Sequence, residues 1–199
     1  MDVDKIVDVL ESGGLVVSPT DTIYGIMGDA LNENVIRKVY EAKKRPYNKP
    51  LILLMNNYEM IRKYTSEISD LEEKIINRFH PGLVTIILKK NNLVSNLITG
   101  NGEYVGIRIP DNKYLLEIIN KLGRPVISSS ANISDEDVIT NVDMLDNQLK
   151  EKIDYIEDGG VVESVSSTIV KVVDGKLEIL REGKLADDIR EYVEELWEK

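Results

Sequence analysis

Near the start of the chain Val3, Ile6, Val7 and Leu10 recur at i, i+3, i+4 and i+7. That spacing predicts a helix over residues 2–12, ended by Gly13-Gly14. The pattern then shortens to a continuous apolar run, which predicts a strand over 15–18 before Pro19. Asn32 is placed to cap a helix whose apolar face is Val35, Ile36, Val39 and Tyr40, running to about residue 43. Residues 51–55 read as a short strand. Ser69 and Glu72 have the spacing of a capping box ahead of Leu71, Ile75, Ile76 and Phe79. After Pro81-Gly82 comes a strand over 84–89, and another over 105–109 halted by Pro110. Asp111 is the expected cap of a helix carrying Leu115, Ile118, Ile119 and Leu122. A strand over 125–128 and a helix over 142–150 follow. Residues 168–173 and 177–180 flank Asp174-Gly175, a hairpin signal. A last helix is expected from about residue 187 to 197.

Strands interleave with helices, and several strands are apolar without alternation. The expected fold class is therefore α/β: a twisted mixed sheet, parallel and antiparallel, with helices on both faces. No repeat, linker or low-complexity tract interrupts the pattern, so one domain over 1–199 is expected.

Composition narrows the function classes. With 199 residues and 42% hydrophobic content, the chain can bury a real core. No run approaches eighteen apolar residues, and Met1-Asp2-Val3-Asp4-Lys5 leads straight into an amphipathic pattern. The expectation is a cytoplasmic protein with no membrane partner. The absence of cysteine excludes disulfides, thiolate catalysis and Cys-ligated metal; a single histidine excludes His-rich metal sites. The net charge of −10 argues against unspecific binding of polyanions. The charge is uneven, however. Residues 37–49 hold six cations against one acid, and half of that cluster lies beyond the helix, around Pro46. The acidic segment 182–199 reads as a solvated helix face.

The candidate chemistry collects at strand ends, where loops leave an α/β sheet. One end gives Ser18-Pro19-Thr20-Asp21-Thr22, another carries Arg108, a third gives Ser128-Ser129-Ser130-Ala131-Asn132. Ser166-Ser167-Thr168 opens the hairpin and Arg181 closes it, while Lys43, Lys44, Arg45 and Lys49 add cations nearby. Hydroxyls, an amide and guanidinium groups are what an oxygen-rich anion needs, whether phosphate or carboxylate. Taken singly, the threonines serve equally well as turn caps and Arg108 as an ion-pair arginine; the coincidence carries the argument. No phosphate-binding glycine loop of the P-loop or Rossmann kind is present. His80 lacks a nucleophile-elbow companion and reads as the C-terminal cap of the helix before it.

The ordered set P-T-D-T-x-Y-G, K-x-R-P, P-G-x-x-T, R-I-P, S-A-N and S-T, closed by an arginine after a hairpin, resembles the threonylcarbamoyl-AMP synthase family, the YrdC-type domain. The resemblance covers about residues 1–185 and is to the short, single-domain form. It implies a YrdC-like fold with a large open cavity. The reaction it implies takes L-threonine, bicarbonate and ATP to threonylcarbamoyl-adenylate and pyrophosphate. Transfer machinery acting on tRNA then consumes the product, to make threonylcarbamoyl-adenosine. Position by position, Thr22, Arg108, Ser128 and Ser167 match the threonine site. Thr20, Lys43, Arg45, Lys49, Ser130, Asn132 and Arg181 match the ATP site, with Lys43 and Arg45 as the catalytic charges. Mg²⁺ is expected with ATP, and no metal held tightly by the protein. The chain departs from the family pattern at Leu54, Leu83, Tyr104, Asp135 and Val138.

The implied chemistry needs no nucleophilic side chain. A carbamate formed from the threonine amine and bicarbonate attacks the α-phosphate, and catalysis comes from positioning and charge neutralisation. An alternative is an RNA-binding module for tRNA or double-stranded RNA, supported by the basic segment 37–49. A related carbamoyl-adenylate chemistry, as in hydrogenase maturation, is a third.

Overall fold

A computed structural model describes residues 1–198. The first helix forms as expected: α1, Val3–Glu11, whose cap Asp2 accepts from the Lys5 amide. Strand β1, Val16–Pro19, turns through residues 20–23 into the antiparallel β2, Tyr24–Asp29. No strand was expected at β2. All six of its residues are buried, and Gly25 and Gly28 interrupt the apolar pattern that would have revealed it.

Helix α2, Glu33–Ala42, starts at Asn32, whose side chain accepts from two backbone amides. After β3, Ile52–Leu54, a helix that the apolar spacing did not predict, α3, Tyr58–Tyr64, is capped by Asn57. In α4, Asp70–Phe79, both halves of the Ser69–Glu72 capping box are made. Strands β4, Val84–Lys89, and β5, Tyr104–Arg108, precede α5, Lys113–Leu122. Asn112, not Asp111, caps α5; the Asp111 amide is instead tied to the Asp21 carboxylate. After β6, Val126–Ser130, the single helix expected over 142–150 is split. Asn141 caps a 3₁₀ turn, Val142–Met144, and Asp146 caps α6, Asn147–Lys150. The short β7, Tyr155–Ile156, precedes the hairpin of β8, Thr168–Val173, and β9, Lys176–Arg181. Its turn residues Asp174 and Gly175 both have positive φ, as a two-residue hairpin turn requires. Helix α7, Ala186–Trp197, follows.

The nine strands form one mixed sheet in the order β7-β1-β2-β6-β3-β5-β4-β8-β9. The pairs β1–β7, β3–β5 and β4–β8 are parallel and the other five antiparallel. Residues paired across strands share a face, and this decides where a site can lie. One face packs Ile26, Ile127, Leu53, Ile107 and Val170 against Val35, Ile36 and Val39 of α2, Ile75 of α4 and Ile189 of α7. The other face carries Met27, Leu54 and Val126 under α1 and α5. Beyond that cover the same face continues through the pairs Gly25–Ser130 and Ser128–Ile52–Gly106, then Arg108, and the row Thr85–Ile169–Arg181. Here the sheet is left open.

Gly28 shows how closely α2 approaches β2. A Cβ built there would lie 2.5 Å from Val35 Cγ1 and 3.3 Å from Leu15 Cδ2. Since Val35 is a stiff β-branched residue in a helix, Gly28→Ala is expected to lower unfolding free energy by about 1–3 kcal/mol in urea titration.

Candidate active site

The open part of the sheet is the floor of a cavity of about 330 Å³, at the low end of the range for small-molecule sites. Eight residues singled out in the sequence line it: Thr20, Thr22, Arg45, Arg108, Ser128, Ser130, Ser167 and Arg181. Ile23, Pro50, Leu51, Ile52, Val138, Val165 and Ile169 supply its apolar walls.

The loop after β1 is organised by one hydroxyl. Thr20 Oγ1 donates to the Ile23 carbonyl at 2.7 Å and accepts from the Thr22 and Ile23 amides. Its proton being committed, the 2.8 Å contact between the Thr20 and Thr22 hydroxyls has Thr22 as donor. Thr22 therefore offers its oxygen to the cavity as an acceptor. Thr20, expected to contact ATP, has its hydrogen-bonding capacity spent on the turn.

Three arginines line the cavity and no carboxylate does. Arg45 is held by carbonyls: Nε donates to Lys49 at 3.1 Å and Nη2 to Pro50 at 2.7 Å. Arg181 donates to the Ser167 carbonyl and, from Nη2, to Ser167 Oγ at 2.8 Å. Thr85, on the neighbouring β4, meets that same Oγ at 3.0 Å, so the hydroxyl is fixed from two sides. Arg108 alone has an acid partner, Asp21, with Nη1 at 2.7 and 2.8 Å from its two oxygens. Burial pulls the Arg181 guanidinium below its usual range, and nearby Arg108 adds to the effect. Burial does the same to Arg45, although Tyr40 and Asp135 oppose it. The cavity is thus a pocket of apolar, hydroxyl and arginine side chains with surplus positive charge inside an acidic protein.

Three expected residues sit differently. Lys43, expected to face phosphates, does not line the cavity; it is buried, with Nζ donating to the carbonyls of Ser130 and Asn132. Burial, reinforced by Arg45, lowers its ammonium to about 7. Its position ties the strand-end loop to α2. Asn132 is also turned away from the cavity, its Nδ2 donating to the Ile133 and Glu136 carbonyls. Lys49 forms an ion pair with Asp135 at 2.7 Å, so its charge is matched within the chain. Asp135, where the family pattern has glycine, has φ of +71°, which explains the glycine preference. Sequence reasoning gave no role to Asp21 or Thr85. Both lie inside quoted motifs, but their partners are remote in sequence.

Five of the six cations of the basic segment bond within the chain, while Arg37 is exposed. Lys38 donates to the Gly13 carbonyl and Lys44 to Gln148, while Lys43, Arg45 and Lys49 are engaged as described. Among the described residues no group of three or more His, Asp or Glu side chains is arranged to hold a metal ion. No helix among them is long and apolar enough to cross a membrane.

A family model labelled Sua5_yciO_yrdC and described as "Telomere recombination" matches residues 8–183. The chain belongs to this family. A Methanocaldococcus jannaschii protein, assigned provisionally as a threonylcarbamoyl-AMP synthase, is 42% identical over 86% of this chain and 81% of its own length. The threonylcarbamoyl-AMP synthase of Pyrococcus abyssi is 33% identical over 94% of this chain. This chain spans only 56% of that longer relative. The crystal structure of Pyrococcus abyssi Sua5 complexed with L-threonine superposes with a TM-score of 0.91 at 32% identity, covering 96% of this chain and 57% of that one.

His80 caps α4 as expected, its amide bonding the Ile76 carbonyl. Its Nε2 donates to the Val84 carbonyl at 2.8 Å, and Nδ1 is buried without a partner. Burial, with Arg108 nearby, pushes the imidazole from 6.5 down to about 4, so the folded ring is neutral. The unfolded chain therefore takes up this proton first as pH falls. Stability present above pH 6.5 is lost towards pH 4, by on the order of 2–3 kcal/mol. Chemical denaturation at stepped pH is expected to show this loss in the wild type and its reduction in His80→Gln.

Proposed function

We propose that this chain is a nucleotidyltransferase that converts L-threonine, bicarbonate and ATP to threonylcarbamoyl-adenylate and pyrophosphate. The observation that carries the reading is the cavity's surplus of arginine beside Thr22, Ser128 and Ser167, in a family that includes an L-threonine complex. Arg108, which lines the cavity and commits only Nη1 to Asp21, takes the amino-acid carboxylate through Nη2. Thr22, as acceptor, suits the threonine amine or hydroxyl. The amine adds to bicarbonate with loss of water, and the resulting carbamate oxygen displaces pyrophosphate at the α-phosphorus.

Arg45 and Arg181 neutralise the phosphates as charge moves to the leaving pyrophosphate. Lys43 serves by fixing the Ser130 and Asn132 backbone rather than by touching phosphate. Mg²⁺ enters as the counter-ion of ATP and supplies further charge neutralisation on phosphate oxygens. An arginine lining without carboxylates does not fit a protein-ligated ion. The product is a mixed anhydride, which tRNA threonylcarbamoyl-transfer machinery in the cytoplasm would consume. Direct tRNA binding is the second reading: Arg37, Lys38 and Lys44 of the basic segment are exposed, but the chain's net charge of −10 opposes it.

Pyrophosphate release from ATP is expected to require both threonine and bicarbonate. Arg45→Ala and Arg108→Ala are each expected to lose about a hundredfold in rate, roughly 3 kcal/mol. Release independent of threonine, or near-normal turnover in both variants, would contradict the assignment.

A further inference from the structure

Asp21 stands beside the cavity, outside its lining. Its carboxylate bonds Arg108 Nη1 through both oxygens and also accepts the Asp111 amide at 3.0 Å. The pair is buried, with the Arg108 and Asp21 side chains 3% and 8% exposed. The anchor is rigid at both ends. Asp21 lies two residues beyond the end of β1, and Asp111 precedes the cap of α5, which packs with α1 over the closed half of the sheet.

We infer that Asp21 is a positioning residue for amino-acid recognition: it grips the Arg108 guanidinium by Nη1 alone and leaves Nη2 uncommitted for the substrate carboxylate. The inference rests on the function proposed above and assigns Asp21 no contact with substrate. Two features favour it over plain charge balance. The first is that the grip is one-ended. A fork-to-fork pair would occupy two guanidinium nitrogens, whereas here Nε is buried and unpartnered. The second is the neighbour. Arg181 lines the same cavity, so two guanidiniums share one pocket and Arg108 needs a fixed partner to remain at the cavity wall.

Charge balance and positioning predict opposite signs. Asp21 partly cancels the Arg108 charge, so on charge alone Asp21→Asn would bind a carboxylate ligand more tightly. If Asp21 holds the guanidinium in place, the same variant binds it more weakly. Calorimetric titration of L-threonine, and separately of a non-hydrolysable ATP analogue, distinguishes the two. We expect Asp21→Asn to weaken threonine at least tenfold while ATP-analogue affinity stays within twofold. Because Asp21 acts through Arg108, the double variant Asp21→Asn/Arg108→Lys should bind threonine no more weakly than Arg108→Lys alone.

Should Asp21→Asn fail to fold, Asp21→Glu keeps the charge but shifts the guanidinium by a methylene, and the same selective threonine loss is expected. Threonine affinity unchanged or raised in the variant, or equal losses for threonine and nucleotide, would overturn the inference while leaving the proposed function standing. A wild-type chain that binds no threonine would overturn both.

Discussion

Positive charge held without a matching acid is the constraint on which the rest of this structure depends. Arg45 and Arg181 are fixed by backbone carbonyls and a serine hydroxyl, and only Arg108 has a carboxylate partner. Carbonyl dipoles orient a guanidinium but do not cancel its charge. Like charges gathered in a partly buried pocket raise the energy of the empty state, and anionic ligands relieve it. A chain with a net charge of −10 nonetheless keeps this pocket free of lining acids.

The fold makes this pocket possible by covering the two sheet faces unequally. One face is sealed by α2, α4 and α7, and the other by α1 and α5 over Val16, Met27, Leu54 and Val126. Gly25 and Ser128 then leave little side-chain bulk on the open floor, while Arg108 and Arg181 enter from β5 and β9, three positions apart in the sheet order. Strands set these guanidiniums more firmly than loops would, so positioning is available to carry catalysis in a protein without cysteine and with its one histidine engaged in structure.

Much of this was legible in the sequence because the signals were local. Asn32 and the Ser69–Glu72 box announced their helices, and Asp174-Gly175 its hairpin. Hydroxyls and arginines at strand ends pointed to one pocket because strand ends converge. What stayed hidden depended on partners far along the chain. Asp111 and Asn112 are both competent caps, and only the 90-residue contact with Asp21 decides between them. A lysine in a phosphate-binding motif looks the same whether Nζ meets phosphate or, as at Lys43, two carbonyls beyond residue 129. Strand β2 was hidden for a different reason. Its glycines are required by the close approach of α2 and by the cavity floor, so the residues that make it fit remove its apolar signature.

The central claim is that one arginine-rich cavity holds an amino-acid carboxylate and a nucleotide together. The most direct measurement is titration of L-threonine into protein already saturated with a non-hydrolysable ATP analogue. The account predicts one threonine site per chain, with affinity maintained or improved by the nucleotide. Displacement of one ligand by the other would contradict it, because a single anion would then be sufficient to satisfy the arginines.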